Sequence, residues 1–472
     1  MNLVRSILKL FGTRIFTSIT GFVGLAYFAQ TLGANGLGIF FLFQGVVSIL
    51  MLPANFGLRT ALEKHISGDE GGADYFSTAI ILKLVPVIVV GASVFVFRSE
   101  LNNYVGANIA VLIVIALIIE EAYQLIIHLL RGEMRVSRSA DILLLRQLVW
   151  IVGGVVAIEI FKYGAKGLIY TWVLSAAISL VIGLYIQSTP LGQPTRSNAR
   201  SLLDYAKFDV VSGAGSTLFS WLDVVVIGFV LTQTEVGAYE TAWRLSAVAV
   251  MFGSAIRNAI FPQISAWDSG GNRKKIANTL TEMITAALFF VIPSFVGVVL
   301  LSEELLRIIF GQEFVIAAAA LSVLIGQKLF QAINQTVGRT LQAIDFPNLA
   351  AYAMVVGIFS NLILNFALVT RYGLVGAAIA TIISYGLMTS LRTHFLQKHL
   401  PVKFEWRDIG WCVTAAAVMG AVVWLLESRI VIETLPVLMM VVIMGAAVYF
   451  VTVLISSSVR AKIFHQVSEL FD

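Results

Sequence analysis

Apolar residues fill this chain in long runs, and polar residues collect in short stretches between them. A helix needs about 20 mostly apolar residues to cross the hydrocarbon core of a bilayer. Fourteen runs meet that length, centred near Phe22, Ser48, Val87, Ala116, Val152, Ala176, Phe219, Val250, Phe290, Ile325, Phe359, Ile382, Val418 and Val442. Barrel strands are shorter, and an open sheet edge stays unsatisfied in lipid. The pattern therefore predicts an all-α polytopic membrane protein. The polar stretch between Gln187 and Lys207 divides the runs into two sets. We expect an N-terminal lobe over 1–187, a cytoplasmic linker over 188–206, a C-terminal lobe over 207–400, and two further helices with a cytoplasmic tail over 401–472.

Two short matches support a duplication. Leu32-Gly33-Ala34-Asn35-Gly36-Leu37-Gly38-Ile39-Phe40 aligns with Leu231-Thr232-Gln233-Thr234-Glu235-Val236-Gly237-Ala238-Tyr239, and Tyr163-Gly164-Ala165-Lys166-Gly167 aligns with Tyr372-Gly373-Leu374-Val375-Gly376. Both spacings are about 200 residues, the length of a six-helix bundle with its loops. An even number of crossings gives both repeats the same orientation. The expected lobes are thus related by a pseudo-two-fold axis along the membrane normal.

Composition sharpens this picture. The chain is 58% hydrophobic and 12% charged, against roughly 25% charged in a soluble domain, which excludes soluble, disordered and coiled-coil classes. Its one cysteine, Cys412, excludes an intrachain disulfide and a cysteine-based metal site. The net charge of +5 does not point to nucleic acid, because Lys and Arg lie between apolar runs and not in one basic domain. With the N-terminus inside, only Arg98, Lys162, Lys166, Arg307, Arg371 and Arg429 fall outside, and Lys83, Arg244 and Lys328 fall within spans. The rest are cytoplasmic, including Arg131 to Arg146 and Arg392 to Arg407, so both termini are expected inside. Arg5, Lys9 and Arg14 before the first run resemble a signal peptide, but without a cleavage site the run reads as the first span.

Ionisable groups inside spans are costly unless they pair or face water. Asp223 and Arg244 fall at similar depth in the seventh and eighth spans, as a structural ion pair or a cavity site. Lys83 in the third span faces Glu120-Glu121 in the fourth. Adjacent carboxylates point about 100° apart on a helix, so only one can face Lys83; the other lines water, where it is a proton-coupling candidate, or belongs to a packed ion pair. Lys328 borders a polar stripe of Gln327, Gln331, Asn334 and Gln335, which predicts a water-filled cavity or interhelical hydrogen bonds. Arg14, Arg59 and Arg257 lie near the cytoplasmic ends of the first, second and eighth spans, as interface anchors or as planar forks for an oxyanion. Pro53, Pro262 and Pro293 interrupt spans, either for ordinary packing or in helices that bend during rocking. No phosphate-binding G-x-x-x-x-G-K-[ST] loop, metal-ligand spacing or hydrolytic arrangement is present, so direct ATP use and catalysis are not expected.

Gly311-Gln-Glu-Phe314, Leu341-Gln-Ala-Ile-Asp345, Asn361-Leu-Ile-Leu-Asn365 and Arg371-Tyr-Gly-Leu-Val-Gly-Ala-Ala-Ile-Ala-Thr381 resemble the C-lobe of the polysaccharide flippase branch of the multidrug/oligosaccharidyl-lipid/polysaccharide exporter superfamily. Leu32 to Phe40 and Asn55-Phe56-Gly57-Leu58 are similar to its N-lobe opening. The resemblance implies a transporter in a prokaryotic plasma membrane, and a monomer is expected because two lobes in one chain already make a cavity. It would flip polyprenyl-pyrophosphate-linked oligosaccharide to the outer leaflet by alternating access, alongside polysaccharide assembly proteins. Substrate contacts are expected from Arg14, Arg59, Arg244, Arg257, Lys328, Gln331, Asn334 and Gln335, and H+ or Na+ coupling from Glu120, Glu121 or Asp223. The alternative is a cation-coupled multidrug exporter of the same superfamily, weakened by the absence of Asp and Glu between residues 1 and 62. A membrane-embedded glycosyltransferase or polymerase needs a larger extramembrane loop than this chain has.

Overall fold

The computed structural model describes residues 3–68, 71–457 and 460, with side chains from residue 16 onward except 207–212, 252, 254–259 and 262. Among these residues the regular structure is helical: α1 (Leu3–Asn55), α2 (Leu58–Ser67), α3 (Gly72–Val96), α4 (Arg98–Val105), α5 (Ala110–Gly132), α6 (Val136–Glu159), α7 (Gly164–Ile186), α8 (Arg196–Val230), α9 (Gln233–Ala247), α10 (Met251–Ser269), α11 (Arg273–Ile309), α12 (Ala318–Ala343), α13 (Pro347–Gln397), α14 (Trp406–Glu427) and α15 (Leu435–Ile455). Eleven are long and apolar enough to cross a membrane. Two of them, α1 and α13, each contain two crossings joined at Gly33 and Gly373. α9, a single 3-10 turn (Val248–Val250) and α10 supply one more. Each expected span centre falls in one of these segments.

α3 shows why lipid is the solvent. Ile81, Leu84, Val85, Ile88, Val89, Phe95 and Val96 form an exposed apolar face, while Phe76, Ala79, Lys83, Val90 and Val94 are buried on the other. Both sets recur at three- and four-residue intervals, as one helix face does. The charged residue is inside and the apolar ones outside, the reverse of a water-soluble helix.

By packing, the chain forms two compact units, Met1–Gly237 and Ala238–Asp472. The segment read from sequence as a linker is fastened to the first unit. The amides of Ser188 and Thr189 donate to Glu133 Oε1 at 2.9 and 2.8 Å, that of Gln193 donates to Asp74 Oδ1 at 2.7 Å, and that of Thr195 donates to Thr78 Oγ1 at 3.2 Å. Its polar residues thus sit where backbone groups need partners. The following helix also packs on this unit, since Ala206 lies so close to Gly57 that a Cβ there would meet the Ala206 carbonyl at 2.5 Å.

The repeat matches have structural counterparts. Gly164 and Gly373, aligned by sequence, both adopt positive φ, 58° and 55°, at the turn into the next helix. In the other match, Gly38 aligns with Gly237 and Ala34 with Gln233. A Cβ at Gly38 would stand 1.7 Å from the Gln233 carbonyl oxygen, and one at Gly237 would stand 1.9 Å from that of Ala34. The contact is reciprocal between aligned residues, as a local two-fold relation requires. Where α1 turns at Gly33, the second copy has Thr232, whose amide donates to Glu235 Oε2 at 2.9 Å.

Candidate functional site

In the first unit, four helices bring together the buried charges expected from sequence and one that was not. α1 ends at Asn55, and a turn through Phe56 and Gly57, with φ 47° and 74°, starts α2 and places Arg59 in its first turn. Asn55 Oδ1 accepts from the Arg59 amide and from Lys83 Nζ, both at 3.3 Å. Arg59 Nη2 donates to Glu121 Oε1 at 2.5 Å, and Lys83 Nζ donates to Glu121 Oε2. Glu121 therefore joins α2 to α3, and it is the carboxylate that faces Lys83.

Of the two readings of the second carboxylate, Glu120 follows the packed ion pair. It is 2% exposed and accepts two bonds from Arg146 of α6, Nη1 to Oε2 at 3.1 Å and Nη2 to Oε1. The guanidinium also lies over the rings of Tyr123 and Trp172, 4.6 and 5.1 Å from their centroids. Burying each ion costs several kcal/mol, and charge-assisted pairing with ring contacts offsets that cost. Arg59, Lys83 and Arg146 face Glu120 and Glu121, so the cluster holds one cation more than it holds carboxylates.

The second unit handles its polar groups differently. Lys328 is fully buried on α12 with Nζ 3.4 Å from the centroid of Trp243. Gln327 donates to Gln331 at 3.2 Å. Asn334 accepts from Arg392 Nη1 at 2.6 Å, and Arg392 Nη2 donates to the Ala350 carbonyl at 3.1 Å. Gln327, Lys328 and Asn334 are thus packed between helices, which is the second of the two readings of the stripe, while Gln331 and Gln335 are partly exposed. Arg244 Nε donates to Glu240 Oε1 at 2.8 Å on its own helix. Asp223 is buried. The side chains of Arg14 and Arg257 lie outside the described residues. Asn361, from the stretch singled out by resemblance, donates to Thr381 Oγ1 at 3.2 Å.

The half-buried Arg146 and the buried Arg392 are the residues that sequence reasoning missed, because both were counted with cytoplasmic loops. α6 begins about three turns before Arg146, and α13 carries Ser384, Met388, Arg392 and Leu396 down one buried face at four-residue spacing. That spacing was visible in the sequence; the partners were not. The same unit holds an apolar cavity of about 330 Å³ lined by Leu245, Val248, Phe290, Pro293, Met419 and Tyr449, among others. Among the described residues no group of His, Cys, Asp and Glu is placed to hold a metal ion.

Comparisons with known proteins agree with this architecture. Residues 28–320 match the family model described as polysaccharide biosynthesis protein. The chain is 39% identical over 470 residues to "Probable low-salt glycan biosynthesis flippase Agl15" of Haloferax volcanii, covering 100% of this chain and 99% of that one. It is 28% identical to "Probable flippase AglR" of the same organism, covering 99% of each. A structure of lipid II flippase MurJ in an inward closed conformation superimposes with a TM-score of 0.79 at 17% identity, over 94% of this chain and 98% of that one. An inward-facing multidrug transporter of the MATE family gives 0.64 at 16% identity, over 81% and 96%. The fold is that of a two-lobed, multi-pass transporter, and the chain belongs to the polysaccharide biosynthesis protein family.

Proposed function

We propose that this protein flips a polyprenyl-diphosphate-linked oligosaccharide from the cytoplasmic to the outer leaflet by alternating access. The observation that carries the reading is the buried Arg59–Lys83–Glu121 cluster with its neighbouring Glu120–Arg146 pair, where cations exceed carboxylates by one. In low dielectric an excess cation favours an anionic ligand, and a guanidinium suits a diphosphate because its planar fork holds two oxygens at once. The 39% identical relative named as a glycan biosynthesis flippase supports the substrate class.

In this reading the protein sits in the plasma membrane with both termini cytoplasmic and works as a monomer, and Arg14, Arg59 and Arg257 remain the candidate cations for the headgroup. H+ or Na+ supplies the coupling, with Glu120, Glu121 and Asp223 as its candidate residues; Glu120 and Glu121 are each engaged by cations. That same engagement disfavours a cation-binding multidrug exporter, which needs carboxylates turned towards its ligand.

The test is mass spectrometry of lipids retained by the protein in mild detergent, compared with Arg59→Ala/Arg257→Ala and with Arg460→Ala as the control. Polyprenyl-diphosphate sugars held by the wild type and the control and lost from the double variant are expected. Their absence from the wild type, with cationic compounds bound instead, would overturn the reading.

A further inference from the structure

The two adjacent carboxylates of α5 are built differently. Glu120 spends both oxygens on one guanidinium, and that of Arg146 lies over two aromatic rings. Glu121 divides its oxygens, Oε1 to Arg59 and Oε2 to Lys83. Arg59 can therefore depart without leaving Glu121 unpaired, whereas no partner of Glu120 can. Exposure is graded in the same sense: the side chains of Glu121 and Lys83 are 3% and 6% exposed, and that of Arg59 is 15%. Arg59 Nε is buried with no hydrogen-bond partner, so this guanidinium has an unused donor. A diphosphate offers more oxygens than one carboxylate oxygen and can engage Nη2 and Nε together.

Resting on the function proposed above, we propose that Glu121 is a positioning residue that occupies Arg59 when no substrate is bound. The incoming diphosphate takes Arg59 from it while Lys83 keeps Glu121 neutralised. The exchange conserves local pairing: one oxyanion replaces another on Arg59, and no buried carboxylate is stranded. Glu121 then competes with the bound headgroup for Arg59 and promotes its release. Its presence weakens binding and speeds turnover, the opposite of a residue that only holds helices together.

Binding of farnesyl diphosphate, inorganic diphosphate and farnesol to the purified full-length protein is the first measurement, and transport of a fluorescent polyprenyl-diphosphate sugar in proteoliposomes is the second. Glu121→Gln should bind farnesyl diphosphate about tenfold more tightly, the scale of one charged competitor removed, and should transport with lower KM and lower kcat. Lys83→Met/Glu121→Gln removes cation and carboxylate together and covers the case in which the single variant does not fold; it should show the same gain. Arg59→Gln should lose binding, and adding Glu121→Gln to it should restore nothing. Equal gains for farnesyl and inorganic diphosphate assign recognition to the diphosphate alone, and a gain confined to the farnesyl compound assigns it to the lipid-linked form; farnesol should bind equally to every variant. Arg59-dependent diphosphate binding with no gain in either Glu121 variant would overturn this role and leave the flippase reading standing. No diphosphate binding to the wild type would overturn both.

Discussion

The two units bury arginine in different ways. In the first, the half-buried Arg146 meets Glu120 through two charge-assisted bonds and lies over two rings. In the second, Arg392, 6% exposed, rests on the neutral Asn334 and a backbone carbonyl, keeps Nε without a partner, and forms no ion pair among the described residues. A carboxylate neutralises a guanidinium where it stands; amides and carbonyls satisfy its hydrogens but leave its charge. The first arrangement ties helices together at the cost of two buried ions, and the second ties them with one. Removing an acceptor should therefore have unequal consequences in the two units.

The largest effect is expected at Glu120→Leu, which leaves the half-buried Arg146 without its carboxylate and should cost about 3 kcal/mol of stability. Thermal unfolding in detergent reads it, and Glu120→Leu/Arg146→Met should recover most of the loss. Asn334→Leu removes only a neutral acceptor from Arg392, which keeps the Ala350 carbonyl, so the expected loss is about 1–3 kcal/mol. A loss at Asn334 as large as at Glu120 would break the comparison. A smaller term is the Lys328–Trp243 contact, for which a double-mutant cycle of Lys328→Met and Trp243→Leu should give a coupling of about 0.5–2 kcal/mol; zero coupling would mean the ring is only packing.

The smallest effect lies outside both clusters. His65 of α2 stacks on Tyr75 at 4.3 Å with Ser201 Oγ 3.2 Å from Nε2, and burial, helped by Lys64, pushes its pKa down. A histidine held below its unfolded value adds stability above that value, near 6.5, and loses it as pH falls through the folded one. Acidification from pH 7.5 to 5.5 should thus lower the unfolding temperature of the wild type more than that of His65→Gln. Equal losses would remove His65 from the account.

The legible part of the site was the part encoded by one helix at a time. Lys83 and Glu120-Glu121 interrupt apolar runs, so their burial and mutual reach follow from depth alone. Arg146 and Arg392 were hidden at helix ends, where a basic residue reads equally as a loop charge, and only the lengths of α6 and α13 bring them inside. Which carboxylate meets Lys83 was left open because a 100° difference in direction does not say where the neighbouring helices stand. The stripe around Lys328 had a similar limit: its face was readable, but whether water or other helices met it was not.

The sequence by itself determined the membrane as solvent, the fourteen crossings and the duplication, because hydrophobic length and helical period are properties of consecutive residues. It also aligned Gly164 with Gly373, and both adopt the positive φ that suits glycine. Only the tertiary structure decided which oxygens each buried cation occupies, that Glu120 is locked and Glu121 divided, and that the polar segment 188–195 is fastened to α3 and Glu133. Those outcomes depend on distances between helices remote in the chain, and charge and hydrogen-bond energies change over a few ångströms that no local pattern records.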